Sequence, residues 1–178
     1  MNGNKLSVTL NGTCHAPPDV VYQFLTDIPG HIHWAGEQQP GYFRLLSLDV
    51  PQREAEVGLE FESTGSIPGS RHRFQDKSRV TEMIPNKLFE FRTDSTVELS
   101  DSRAMEAEYV HRYELFPDGD GCRVKYTFRQ EKVSNPMLRL ALPIVRTMTW
   151  KFGMPFMMKG GFNNLLHDAE RQASRNGR

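Results

Sequence analysis

Hydrophobic and polar residues alternate along this chain with two different periods, and the changes of period divide it into elements. Leu6, Val8 and Leu10 alternate with Ser7, Thr9 and Asn11, the two-residue period of a half-buried strand. From Pro17 the period lengthens. Val21, Phe24, Leu25 and Ile28 fall at i, i+3, i+4 and i+7 and predict a helix with one apolar stripe. Pro17 and Pro18 suit a first helical turn, where a missing N–H is no loss. Asp19 suits the positive end of the helix dipole, and Pro29-Gly30 ends the helix. A short second helix or turn follows, carrying Ile32 and Trp34 inward and leaving His31 and His33 exposed.

After "GEQQPG" the two-residue period returns. Strands are predicted over "YFRLLSLDV", "VGLEFES", "RFQDKSRVTEMI", "LFEFRT", "MEAEYVHRYELF" and "CRVKYTFRQ". In the second, Val57, Leu59 and Phe61 share a face. In the fifth, Met105, Ala107, Tyr109, His111, Tyr113 and Leu115 share one. In the last, Cys122, Val124, Tyr126 and Phe128 point inward. Such clean alternation predicts antiparallel pairing with one buried and one wet face.

The chain from Asn135 reads as helical, over about 136–174. Pro136 can open this segment and Pro155 should kink or restart it. Its later stripe is Met158, Phe162, Leu165, Leu166 and Ala169. Gly160-Gly161 inside a helix costs about 1 kcal/mol per residue against Ala. Close backbone approach or room for a ligand would explain that cost; the alternative is a loosened helix that begins at Gly161.

The fold class expected is α+β: a curved antiparallel sheet of about seven strands wrapped around a long C-terminal helix, with two short helices after the first strand. This is a helix-grip plan in a single domain, 1–178. The length of 178 residues suits one domain with a substantial core.

Charge narrows the function. Lys plus Arg and Asp plus Glu both total 22, so no basic excess points to nucleic acid. Two cysteines, Cys14 and Cys122, make neither a spaced metal motif nor a disulfide framework. The N-terminus has no basic and apolar leader, and a cytoplasmic location is expected. Asn11-Gly12-Thr13 fits a glycosylation sequon that carries no meaning without such a leader. Residues 137–158 are apolar but broken by Arg139, Arg146, Lys151, Pro143 and Pro155, so they do not span a bilayer. They suit an amphipathic helix on the protein's own core, or a peripheral membrane contact.

The motif "APPDVVYQFLTDIPGHIHW" resembles the N-terminal signature of SRPBCC proteins, the superfamily of START domains, polyketide cyclases/dehydrases and the birch-pollen allergen. Ala16, Pro17, Val21, Tyr22, Phe24, Asp27 and Trp34 match it. "VGLEFES", "RVTEMIPNKLFEFRT", "YELFPDGDGCRVKYTF" and "FNNLLHDAERQ" follow in the expected order. The resemblance implies a helix-grip fold around an internal cavity. It implies no particular reaction, because the superfamily shares a cavity rather than a catalytic motif. The segment "SNPMLRLALPIVRTMTWKFGMPFMM" departs from it, being longer and more apolar than a plain connection.

Strand parity then names the expected cavity lining: Trp34, Phe61, Phe74, Phe89, Phe91, Tyr126 and Phe128 from the N-terminal elements and sheet, with Met158, Phe162 and Leu166 from the helix. His111, between Tyr109 and Tyr113 at i−2 and i+2, is the candidate for proton transfer, those tyrosines being its partners. The other reading is a core histidine bonded to one of those hydroxyls. Asp76 and Ser78 share the parity of Phe74 and point inward unless a bulge reverses them. "HIHW" supplies too few ligands for a metal, and neither metal nor cofactor is expected. No nucleophile, phosphate-loop or dinucleotide motif appears.

The preferred function is a carrier or binding protein for a hydrophobic small molecule of lipid, polyketide or isoprenoid type, as monomer or homodimer, more a binder than an enzyme. The alternative is a polyketide cyclase/dehydrase-like enzyme using polar groups of the same cavity. A third reading is a co-chaperone, since Hsp90-ATPase activators share this fold.

Overall fold

The computed structural model describes residues 6–36, 42–51, 54–100, 103–134 and 148–176. Strand β1 (Leu6–Cys14) leads through Pro17 into helix α1 (Pro18–Thr26). Val21 and Leu25 are fully buried on its inner face, with Ile28 just beyond it. A 3-10 turn (Ile28–Gly30) follows, capped by the Asp27 side chain, which accepts from the Gly30 N–H at 3.3 Å. Helix α2 (His31–Gly36) completes the pair.

The remaining strands are β2 (Arg44–Asp49), β3 (Glu60–Ser66), β4 (Arg73–Ile84), β5 (Leu88–Ser100), β6 (Arg103–Asp118) and β7 (Gly121–Val133). They form one seven-stranded antiparallel sheet in the order β1-β7-β6-β5-β4-β3-β2. The predicted strands are all present. Val57 is the exception on its stretch: β3 starts three residues later, and Val57 is exposed in the turn before it.

A π-helical turn (Thr149–Gly153) runs into helix α3 (Met154–Asn176). The α-helix restarts at Pro155, as expected: it begins at Met154 directly behind the π-helical turn, and Pro155 sits in its first turn, where its missing N–H is not needed. The helix continues through Gly160-Gly161, so it does not begin at Gly161. The predicted helical start at 135–147 lies outside the described residues.

The sheet's wet face carries ion pairs, among them Arg112 Nη1 donating to Glu82 at 2.8 Å and Glu90 at 2.9 Å. Half-exposed pairs of this kind stabilise little. The stability lies on the other face. Cys14, Ala16, Val21, Leu25, Leu115, Cys122, Val124, Leu165 and Ala169 pack there into a solid core between sheet, α1 and the C-terminal half of α3. Gly12 of β1 makes this approach close: a Cβ added there would run into Leu166 and Phe162. Cys14 and Cys122 are direct cross-strand partners, both buried as free thiols. The neighbouring sulfur and burial hold Cys122 protonated.

Candidate functional site

The interior is solid at one end and hollow at the other. Between the concave face of the sheet, α2 and the N-terminal half of α3 lies a cavity of about 480 Å³. It is of the size and apolar character usual for a small-molecule site.

Cross-strand register arranges the sheet's side of the cavity in rows. One row is aromatic: Phe91 on β5, His111 on β6 and Phe128 on β7 are successive partners. The next is mixed: Phe61, Ser78, Thr93, Tyr109 and Gln130. A third is polar at its centre: Ser63, Asp76, Ser95 and then Ala107. The bulge in β4 falls between Val80 and Glu82, beyond Asp76 and Ser78. The parity of those two residues therefore survives, and both face inward.

Eleven of the residues that parity selected line the cavity: Trp34, Phe61, Phe74, Phe91, Tyr109, His111, Tyr113, Tyr126, Phe128, Met158 and Phe162. Phe89 and Leu166 do not. Phe89 is fully buried behind the wall, its ring edge-on to His31 at 6.5 Å. Leu166 packs over Gly12, at the solid end. Gly161 does line the cavity, which fits the reading of that glycine as room.

His111 is clamped by its neighbours. Its ring stacks on Phe91 at 4.4 Å, meets Phe128 edge-on at 4.9 Å, and its Nδ1 lies 2.9 Å from the Tyr126 hydroxyl. Burial, then the nearby His31, pushes its pKa down to about 3, so at neutral pH it is an uncharged imidazole. Tyr126 in turn bonds Tyr113, whose ring stacks on it at 4.4 Å. Burial raises both phenols, and they stay protonated. The result is a neutral relay Tyr113–Tyr126–His111 along one wall. His111 thus bonds a tyrosine hydroxyl, as the structural reading expected. The hydroxyl comes from β7 rather than from its flanking tyrosines.

His31 corrects an expectation. It is buried, not exposed, and lines the cavity. Its Nε2–H donates to the Leu25 carbonyl at 2.9 Å, and its ring packs on Trp34 at 4.7 Å. A carbonyl can only accept, so the proton sits on Nε2. Burial pushes the pKa down to about 4, which leaves Nδ1 a bare acceptor at neutral pH. The missed signal was spacing: the carbonyls of the last α1 turn have no intrahelical donor, and a donor six residues on can cap them.

Asp76 is the other cavity residue that alternation left in doubt. Burial pushes its carboxyl up to about 6, against a hydrogen bond with Ser95 that lowers it. Its Oδ1 is sealed from solvent and has no hydrogen-bond partner among the described residues. It also raises the Tyr109 phenol, after burial has done most of that.

Among the described residues no three His, Cys, Asp or Glu side chains converge as metal ligands would. Nor is any helix there long and apolar enough to cross a membrane.

The family model described as "Activator of Hsp90 ATPase homolog 1-like protein" matches residues 15–164, which span β2 to β7, the first two helices and the first half of α3. The chain belongs to that family. It is thereby a member of the SRPBCC superfamily. No curated protein matches the sequence. Solved structures share the fold at low identity. The Mll3558 protein from Rhizobium loti is 18% identical, with 92% of this chain and 96% of that one covered and a TM-score of 0.58. A protein from Rhizobium leguminosarum is 12% identical, covering 94% and 96%, at 0.60. The major latex-like protein 151 of Panax ginseng is 13% identical, covering 96% and 99%, at 0.58. As in the ginseng protein, the sheet grips a long C-terminal helix; in this Activator of Hsp90 ATPase homolog 1-like member that helix is half core and half cavity wall.

Proposed function

We propose that this protein is a carrier or binding protein for a hydrophobic small molecule, of lipid, polyketide or isoprenoid type, held between the sheet and the first half of α3. The observation that carries this reading is the cavity of about 480 Å³ with aromatic and methionine walls and a narrow polar row. Burying apolar ligand surface there yields about 25 cal/mol per Å² before the cost of immobilisation. Trp34 and Trp150 both line the space and report on occupancy. Native mass spectrometry of the purified protein should find a co-purifying hydrophobic molecule. Titration with a small hydrophobic probe should shift tryptophan emission saturably. The absence of both an adduct and a shift would overturn the proposal.

A second reading, a polyketide cyclase/dehydrase-like enzyme, is favoured by Asp76 and His111 facing one cavity. A carboxyl that titrates near 6 is suited to exchanging protons with a carbonyl substrate, and the neutral imidazole to hydrogen-bonding it. Loss of turnover of a poly-β-ketone in both Asp76→Asn and His111→Asn would support it. The family's name refers to an Hsp90 activator; the cavity requires no such partner, and the carrier reading rests on the cavity.

Delivery to a membrane fits the same protein. Met148, Phe152 and Phe156 are exposed at four-residue steps beside the cavity lining of Trp150 and Met154, with Lys151 over the Phe152 ring. Residues 137–147 of the segment first considered for this contact lie outside the described residues.

A further inference from the structure

We propose that Asp76 is the polar subsite of the cavity and selects apolar molecules that end in a hydrogen-bond donor, a hydroxyl or an ammonium, over those that end in a carboxylate. This rests on the carrier reading and names the ligand class it implies.

Asp76 sits mid-row on β4, between Ser63 of β3 and Ser95 of β5, and lines the cavity. An ionised carboxylate only accepts hydrogen bonds. The hydrogen bond with Ser95 leaves Oδ1 with no partner among the described residues. Leaving a buried acceptor unpaired is costly. A ligand donor beside the carboxyl is what this position lacks.

Charge points the same way. Of the described lining residues, Asp76 and Arg44 carry formal charge at neutral pH, since His31 and His111 are held neutral. Arg44 lies at the exposed edge, on β2, and its Nε donates to the Gly36 carbonyl at 3.0 Å. Facing Asp76 from the other strands are the neutral groups Ser63, Ser95 and Tyr109. Among the described residues, no cation on those strands lines the cavity to receive a ligand carboxylate. A fatty-acid head would bring a second negative charge to the first in a low-dielectric interior. An ammonium or hydroxyl would complete the row instead. The apolar body then extends along Phe91, His111 and Phe128 toward Trp150, whose ring stacks on Phe128 at 5.6 Å.

The test uses three probes of one alkyl length, an n-alkyl alcohol, amine and carboxylate, at mildly alkaline pH where Asp76 is ionised. Binding is read by tryptophan emission and by calorimetry. The wild type should bind the carboxylate about tenfold to a hundredfold more weakly than the alcohol or the amine, the range that a hydrogen bond to a charged group supplies. Asp76→Asn, which keeps the shape and removes the charge, should close most of that gap, and Asp76→Leu should do the same. A larger loss for the amine than for the alcohol would identify charge pairing as the main attraction; equal losses would identify hydrogen bonding. Equal affinity for all three probes in the wild type, or a gap unchanged in both variants, would overturn the role of Asp76 and leave the cavity reading standing. Failure of every probe to bind would overturn both.

Discussion

The Nδ1 of His111 lies 2.9 Å from the hydroxyl of Tyr126, its register neighbour's neighbour on the adjacent strand. With Phe91 stacked on the same ring, the imidazole has no room to gather the water a cation needs. Its pKa of about 3 and that of His31, about 4, both lie below the ordinary 6.5. The unfolded chain therefore takes up protons that the folded chain refuses. Stability is complete above pH 6.5 and is lost as pH falls toward those folded values. Each histidine contributes a slope of up to about 1.4 kcal/mol per pH unit. Phe fits the aromatic stack, so His111→Phe should remove about one such slope from urea-unfolding free energies measured between pH 6.5 and about 4. An unchanged slope would show that His111 titrates normally.

Asp76 has the opposite sign. Its folded pKa, about 6, lies above the ordinary 3.8, so the folded state binds the proton more tightly. Its burial costs nothing below pH 3.8 and most above 6. Asp76→Asn should therefore raise stability at neutral pH by up to about 3 kcal/mol, and the gain should vanish in acid. Thermal unfolding at both ends of that range checks it. Such a gain is what a site kept for ligand rather than for stability would give.

Gly12 and Leu166 fix how closely α3 lies against β1. Gly12→Ala should destabilise by about 1–3 kcal/mol, because the added methyl meets Leu166 and Phe162. Leu166→Ala alone should cost about 2–5 kcal/mol. Combined, the two should cost less than their sum, since the second removes the atoms that the first collides with. Chemical denaturation of the three variants measures the coupling.

Phe152→Ser with Phe156→Ser should weaken partition onto anionic vesicles while leaving thermal stability within about 0.5 kcal/mol, as both side chains are exposed. Co-sedimentation with vesicles reads the first and calorimetry the second. Equal sedimentation of variant and wild type would remove the membrane contact.

Much of the site was legible because strand parity is local. β4 occupies the stretch predicted, Arg73–Ile84, and the inward set on β6 and β7 lines the cavity as alternation requires. What was misread depended on neighbours in space. His31 looked exposed because i and i+2 on a helix do not share a face, yet the end of α1 offers it a carbonyl and Trp34 a ring. Val57 has strand alternation but falls in the turn before β3. Phe89 has inward parity and shares a row with Tyr113 and Tyr126, but it is fully buried with the His31 ring edge-on to it rather than lining the hollow.

The sequence by itself determined the order of elements, the antiparallel sheet and which face of each strand turns inward, because side-chain period follows directly from backbone geometry. Only the tertiary structure decided where the interior is solid and where it is hollow. α3 carries one apolar stripe along its length, but Leu165 and Ala169 meet α1 and β1, whereas Met154 and Met158 face an open span of sheet. The same apolar residue is core or cavity wall according to how far the opposite surface lies, and that distance is set by the packing of the whole chain. It also decided that Asp76 would be a half-paired carboxyl in that hollow.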